Sequence, residues 1–182
     1  MKKRLIFILP VIILFVVSCT TTSQAIPYVI ESEFDESALE WRAKEGFSTI
    51  YGNSFIRDSM AIQAGPHTCA GFNVSLIPVD KYFEEYLSLQ FDNLNNSFWQ
   101  RNSPRYESDF DPAAEAYQED ATCDSQGNFE FNNLPKGSYW IITAVSYEGG
   151  PFRTLPPSYK GGWLLKKVSV DGQNDKKVVI SR

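Results

Sequence analysis

Residues 122–139 read TCDSQGNFEFNNLPKGSY and carry the turn and strand signals that decide the fold. Asp124 can accept hydrogen bonds from the backbone two residues further on, and Gly127 supplies the positive φ that a tight turn needs. Phe129 and Phe131 are two residues apart and therefore point to the same face of a strand, which Leu134 ends. This stretch predicts a tight turn followed by a half-buried strand.

A second turn and a longer strand follow directly. Pro135 fixes the first position of this turn, and Gly137 is expected to take the left-handed conformation. Residues 139–145, YWIITAV, are apolar on both faces of the predicted strand. Such a pattern is typical of a central strand that is covered on both sides.

Further strands are predicted on both sides of this stretch. Segments rich in β-branched and aromatic residues lie at 47–57, 72–78, 163–170 and 176–180, and a short strand begins at Glu119, which gives seven strands in total. Residues 80–118 differ, because the side chains at 83, 87, 91 or 90, 94 and 98 have helical spacing after Asp80 as N-cap. The segment NNSFWQRNSPRYESDFDP predicts a loop, and Asp111 with Pro112 begins a second short helix.

The central stretch resembles the signature of carboxypeptidase regulatory-like domains, which are transthyretin-like (prealbumin-like) β-sandwiches. The matching residues are Asp124, Gly127, Phe129, Phe131, Leu134, Pro135, Gly137 and Tyr139. The resemblance implies an all-β fold, a seven-stranded sandwich with a partly helical insertion. It implies no chemistry, since each of these residues has a turn or core role.

The N-terminus has the layout of an export signal. Residues 1–22 read MKKRLIFILPVIILFVVSCTTT, and the apolar run would form a helix of about 20 Å, short of the about 30 Å of a hydrocarbon core. The sequence VVSC, residues 16–19, resembles the bacterial lipobox, which implies cleavage before Cys19 and attachment of acyl chains such as palmitate to it. The alternative is a buried cysteine that closes an ordinary signal peptide.

These boundaries divide the chain into three parts. Residues 1–18 are the expected signal peptide, 19–46 a lipidated N-terminus, tether and short helix, and 47–182 the sandwich with its insertion at about 80–118. Ser37 and Glu40 have capping-box spacing for the short helix, which Gly46 can end. Thr20 stands where an Asp would retain enteric lipoproteins in the inner membrane. The resemblance therefore implies the outer membrane, with the protein facing the periplasm or the cell surface.

Three cysteines occur in the sequence. With Cys19 assigned to lipid, Cys69 and Cys123 remain, and an even pair in an oxidising compartment is more often a disulfide than two free thiols. A metal-binding or catalytic thiol is the alternative, for which His67 is the one nearby imidazole.

The net charge of the chain and its residue types argue against several kinds of function. Removal of residues 1–18 takes away three basic residues and no acidic one, which changes the formal charge from −5 to −8. This acidity argues against a nucleic-acid partner and assigns membrane attachment to lipid. A single His lacks the partners of a zinc peptidase site, which needs two His and a Glu, and Asp109, Asp111, Glu119 and Asp120 lack EF-hand order. We therefore expect no catalytic residues, metal or cofactor.

The leading hypothesis is a non-catalytic, lipid-anchored envelope protein whose sandwich binds or scaffolds a partner. One alternative is a glycan- or peptide-binding module that uses exposed rings as stacking platforms, with Trp99, Tyr159 and Trp163 as candidates. For these rings, packing in the core or its rim is the competing interpretation. Another alternative is a subunit of an envelope or secretion assembly.

Overall fold

The computed structural model describes residues 25–59, 65–149 and 158–182. The predicted signal peptide and Cys19 lie outside these residues. The strands are β1 (Ile26–Pro27), β2 (Ser48–Arg57), β3 (Pro66–Thr68), β4 (Asn73–Pro78), β5 (Asn96–Gln100), β6 (Tyr106–Glu107), β7 (Glu119–Thr122), β8 (Asn128–Leu134), β9 (Gly137–Glu148), β10 (Tyr159–Val170) and β11 (Lys176–Ser181). The helices are a 3₁₀ helix (Glu36–Ala43), α1 (Lys81–Ser88) and α2 (Pro112–Glu115).

Two sheets face each other in a β-sandwich. One has five strands in the order β5-β10-β9-β4-β7, and the other has β11 parallel to one edge of β2, with β8 and β3 antiparallel along its other edge. The predicted all-β class is confirmed. Among the described residues the two sheets contain nine strands where the sequence predicted seven, because β3 and β5 also pair.

The core lies between the sheets and is built by alternation along the strands. Along β9, Tyr139, Ile141 and Val145 point inward, as do Val74 and Leu76 of β4. From the opposite sheet come Ile50, Phe129, Phe131, Leu134, Val178 and Ile180. Phe129 and Phe131 share a face, as their spacing predicted, with ring centroids 6.1 Å apart.

The turn before β8 is organised by Asp124. Its carboxylate accepts hydrogen bonds from the backbone N–H groups of Gln126 and Asn128 and from the Asn128 side chain, at 2.8, 2.8 and 2.9 Å. The side chain and backbone of Asn128 hold the pKa of Asp124 below its ordinary value. Gly127 has a φ of +83°, so the left-handed residue is where the sequence placed it.

The following turn differs from the prediction. Asn133, and not Gly137, has a positive φ, of 56°. A Cβ at Gly137 would lie 2.1 Å from the Trp41 ring, so the glycine is needed for close packing of the indole. Next to it Tyr139 is fully buried, donates a hydrogen bond to the Pro135 carbonyl at 3.0 Å, and has its pKa raised by burial to about 12.

The predicted disulfide between Cys69 and Cys123 is confirmed. The two Cα atoms are 5.8 Å apart and both residues are buried. Cys69 directly follows β3 and Cys123 directly follows β7, so the bond joins an edge of one sheet to an edge of the other.

A second apolar cluster covers part of the outer face of the five-stranded sheet. Helix α1 begins after Asp80, whose side chain accepts the Tyr82 N–H at 2.8 Å, and α2 begins after Asp111, also as predicted. The buried members of this cluster are Leu39, Ile77, Tyr82, Phe83, Leu87, Phe91, Ala114, Trp140 and Leu165.

The prediction of helix up to position 98 is wrong beyond the first two turns. Helix α1 ends at Ser88, and residues 96–100, predicted as loop, form β5. This strand pairs with β10 over five residues, with Trp99 opposite Trp163. The non-local pairing with β10 determines the conformation of this segment.

The described part of the predicted tether, from Ala25 onward, lies on the domain. Glu85 of α1 accepts hydrogen bonds from Tyr28 Oη and from the backbone N–H groups of Glu31 and Ser32, at 3.3, 2.7 and 2.8 Å. The bonds from Ser32 and Glu31 lower the pKa of Glu85 to about 2. We name this arrangement the Glu85 clamp.

Further along the segment, Phe34 packs edge-on against Tyr82 with centroids 5.5 Å apart. The 3₁₀ helix that follows is capped by Asp35, and not by Ser37, and its C-cap is Lys44 and not Gly46. Asp35 takes the cap because its carboxylate accepts both the N–H and the hydroxyl of Ser37.

Candidate functional site

The second cluster leaves half of the outer face of the five-stranded sheet open. Along β9, Trp140 is buried and Ile142 is half-buried at the margin of the cluster. Ala144 and Ser146, the next residues on that face, line an open cavity of about 820 Å³. We name this cavity the main groove.

Two tryptophans stand side by side on the floor of the main groove. Trp99 of β5 and Trp163 of β10 are directly opposite in the antiparallel ladder, and their ring centroids are 4.7 Å apart with an interplanar angle of 48°. Trp163 is 38% exposed, and the Trp99 indole donates a hydrogen bond to the Pro104 carbonyl at 3.3 Å. The pairing therefore presents a fixed aromatic surface.

Polar side chains surround this aromatic pair. Arg101 donates to Ser146 Oγ at 3.0 Å, and its guanidinium carbon lies 6.0 Å from the ring centroid of Tyr159. Tyr159 is 54% exposed. The remaining polar lining comes from the segment after β5 and from β6, namely Asn102, Ser103, Arg105 and Glu107.

A smaller cavity of about 300 Å³ adjoins the main groove, and we name it the side pocket. Trp99, Arg105 and Trp163 line both cavities. The rest of the side pocket is largely apolar and includes Leu87 and Phe91 of the second cluster. Gln90 also lines it, donating to the Tyr106 carbonyl at 3.0 Å, while its Oε1 is buried without a hydrogen-bond partner.

The structure thus brings together two of the three rings that the sequence singled out as stacking candidates. Trp99 and Trp163 form the floor, whereas Tyr159 lies four residues before Trp163 on β10, faces Arg101 and is not among the lining residues of the main groove. Sequence reasoning missed Arg101, Arg105 and Ser146. Arg101 could have been found by its position two residues after Trp99, had residues 96–100 been interpreted as a strand.

The other residues considered for chemistry lie apart from the main groove. His67 stacks on Tyr147 with centroids 4.0 Å apart and an angle of 7°. Of the acidic residues considered for calcium, Asp111 caps α2, Glu119 pairs with Arg42, and Asp120 accepts the Ser75 hydroxyl at 2.6 Å. Across the described ranges no group of three His, Cys, Asp or Glu side chains is arranged to hold a metal ion.

Comparison with known proteins identifies the fold. No family model matches the sequence, and no curated protein matches it. The crystal structure of a Pseudomonas aeruginosa protein, provisionally described as carbohydrate-binding, is similar with a TM-score of 0.67 and 23% sequence identity. The likeness covers 83% of this chain and 99% of the other, so the sandwich with its additions is a fold that occurs in a solved structure.

Within the described ranges no helix has the length and apolar character needed to cross a bilayer.

Proposed function

We propose that this protein is a non-catalytic, lipid-anchored binding protein of the bacterial envelope and that its main groove binds a glycan. The observation that carries the proposal is the Trp99–Trp163 pair on the open half of the sheet. The provisional description of the P. aeruginosa neighbour supports it. We also propose that the sandwich belongs with the carboxypeptidase regulatory-like domains, on the residues of its central stretch.

The chemistry of the groove suits a sugar. The faces of sugar rings carry C–H groups that pack on aromatic rings, while their hydroxyls need hydrogen-bond partners at the ring edge. Trp99 and Trp163 provide the aromatic surface, and Ser146, Asn102 and Glu107 provide donors and acceptors around it. The two rings pack against each other and the Trp99 indole is hydrogen-bonded to Pro104, so little side-chain entropy is lost on binding.

Replacement of Trp163 tests the glycan proposal. We expect Trp163→Ala to weaken oligosaccharide binding by about tenfold or more, which corresponds to about 1.4 kcal/mol of lost stacking. Isothermal titration with chitotetraose, cellotetraose, tetragalacturonate and a muropeptide provides the measurement, with tryptophan fluorescence as a second readout.

Tyr51→Ala is the matched control for this measurement. Tyr51 lies on β2 in the opposite sheet. Its exposed fraction of 40% is close to the 38% of Trp163. We expect its removal to leave binding unchanged. If none of the oligosaccharides produced heat or a fluorescence change with the wild-type protein, the proposal would be wrong.

The anchor is proposed on the N-terminal sequence, with its basic cluster, apolar run and Cys19. Two or three acyl chains at about 0.8 kcal/mol per buried CH₂ hold a protein on a membrane effectively permanently. The absence of Asp at position 20 supports the outer membrane as the location. Because the chain is acidic, a basic surface is a poor alternative for attachment.

Substitution of Cys19 tests the anchor. We expect the wild-type protein to incorporate labelled palmitate and to sediment with membranes, and Cys19→Ala to lose both properties. Ser23→Ala serves as the control, since Ser23 lies in the same N-terminal sequence and has no thiol to acylate. Undiminished labelling of the Cys19→Ala variant would refute lipidation at this residue.

A further inference from the structure

The main groove and the side pocket share one wall. Trp99, Trp163 and Arg105 line both cavities, so a ligand chain that stacks on the tryptophans passes the Arg105 side chain. This wall lies beside the second cluster, because Leu87 and Phe91 of that cluster also line the side pocket. A charge at this point therefore acts on any ligand that occupies either cavity.

The charged groups around the cavities are unevenly distributed. Arg101, Arg105 and Glu107 are the charged residues of their linings, so the groove has a basic excess in a chain of formal charge −5. Over residues 25–59, 65–149 and 158–182 the ion pairs are Arg42–Glu119 and Lys160–Asp58. In this part of the protein neither groove arginine is within ion-pair distance of a carboxylate.

Arg101 is oriented by contacts with neutral side chains. Its guanidinium donates to the neutral Ser146 hydroxyl and lies over the face of Tyr159. Arg105 is exposed, and its backbone carbonyl accepts the Ile26 N–H at 2.8 Å. The Arg101 guanidinium is thus held by side-chain contacts, whereas Arg105 is placed at the cavities by its backbone, and each guanidinium can donate two parallel hydrogen bonds to one carboxylate.

From this arrangement we infer that the groove selects acidic glycans, in which a carboxylate on a sugar binds Arg105 while a ring stacks on Trp163. The inference rests on the proposed glycan-binding function and specifies its ligand class. The carboxylate can belong to a uronic acid or to the lactyl ether of an N-acetylmuramic acid. Both sources supply the same group to the same arginine.

Pairs of ligands with and without a free carboxylate test the inference. We expect tetragalacturonate to bind about tenfold more tightly than its methyl ester at low ionic strength, with the difference shrinking as salt is added. The disaccharide of N-acetylglucosamine and N-acetylmuramic acid, compared with chitobiose, distinguishes the second carboxylate source from the first. Isothermal titration provides the dissociation constants.

Arg105→Gln is the decisive variant. We expect it to reduce the ratio of the acid affinity to the methyl ester affinity to near one, and we expect Arg105→Lys to retain part of the preference. Arg57→Gln is the control, because Arg57 is an exposed arginine of β2 whose guanidinium lies 5.2 Å from the Phe55 ring. This control variant should keep the full preference.

The outcomes separate the inference from the proposed function. Equal affinity of the wild-type protein for the acids and their neutral analogues would overturn the inference and leave glycan binding in place. An undiminished acid preference in Arg105→Gln would also overturn it. If the wild-type protein bound neither the acidic nor the neutral ligands, the proposed function and the inference would both be wrong.

Discussion

Trp140→Ala should lower the free energy of unfolding by about 3–5 kcal/mol, the range for removal of a large buried aromatic side chain. Trp140 is fully buried in the second cluster, and its indole donates to the Leu94 carbonyl at 2.8 Å. The substitution leaves a cavity between the sheet and α1 and removes the donor from a partly buried carbonyl. Urea unfolding followed by circular dichroism measures the loss.

Trp163→Ala is the internal control for this prediction, since both tryptophans lie on the outer face of the same sheet. Trp163 is 38% exposed where Trp140 is fully buried, so we expect the Trp163 variant to lose less than about 1 kcal/mol. Trp140→Phe should fall between the two, because the ring is smaller and has no N–H. A loss below about 1 kcal/mol for Trp140→Ala would mean that the second cluster contributes little to stability.

Removal of the disulfide should cost about 4 kcal/mol. The bond joins residues 54 apart in sequence, and closure of a loop of this length restricts the unfolded chain by about that free energy in the chain-entropy model. We expect Cys69→Ala with Cys123→Ala to shift the urea midpoint to lower concentration.

A reductant provides the control for the disulfide prediction. Dithiothreitol should destabilise the wild-type protein and leave the double variant unchanged, which separates loss of the bond from loss of packing at two buried sites. The prediction would be contradicted by two titratable thiols in unfolded, unreduced protein. A double variant as stable as the wild type would contradict it equally.

The sandwich could be predicted from sequence because its signals are local. Asp124, Gly127 and the alternation of Phe129 and Phe131 define a turn and a strand within a few residues, and the structure has β8 at Asn128–Leu134. The two apolar faces of β9 likewise predicted a strand covered on both sides, and Trp140 and Tyr139 are each fully buried on opposite faces.

The insertion was harder to predict because its conformation depends on distant residues. The sequence NSFWQ becomes β5 through its pairing with β10, more than 60 residues later in the chain. Within the segment itself, apolar residues at 91, 94 and 98 happened to continue the spacing of α1. Phe91 is buried in the second cluster, but it lies after the end of α1 and not within the helix.

The candidate site was likewise predictable where its signals are local and not where they depend on distant residues. The three aromatic residues could be singled out by residue type, whereas the placement of Trp99 against Trp163 depends on the register of β5 with β10. Arg105 carries no sequence signal, since it lies in an irregular polar segment between β5 and β6. Its relevance follows from the position of that segment beside the sheet.

The attachment of the N-terminal segment to the domain, which includes the Glu85 clamp, limits the distance between the domain and the lipid anchor proposed at Cys19. Residues from Ile26 onward are fixed to the domain by β1–β6 pairing and by Glu85, and Ala25 lines the main groove itself. The six residue steps from Cys19 to Ala25 reach at most about 22 Å when fully extended. The groove would then open into the layer of the envelope next to the lipid head groups, and only glycans that enter this layer would be within range.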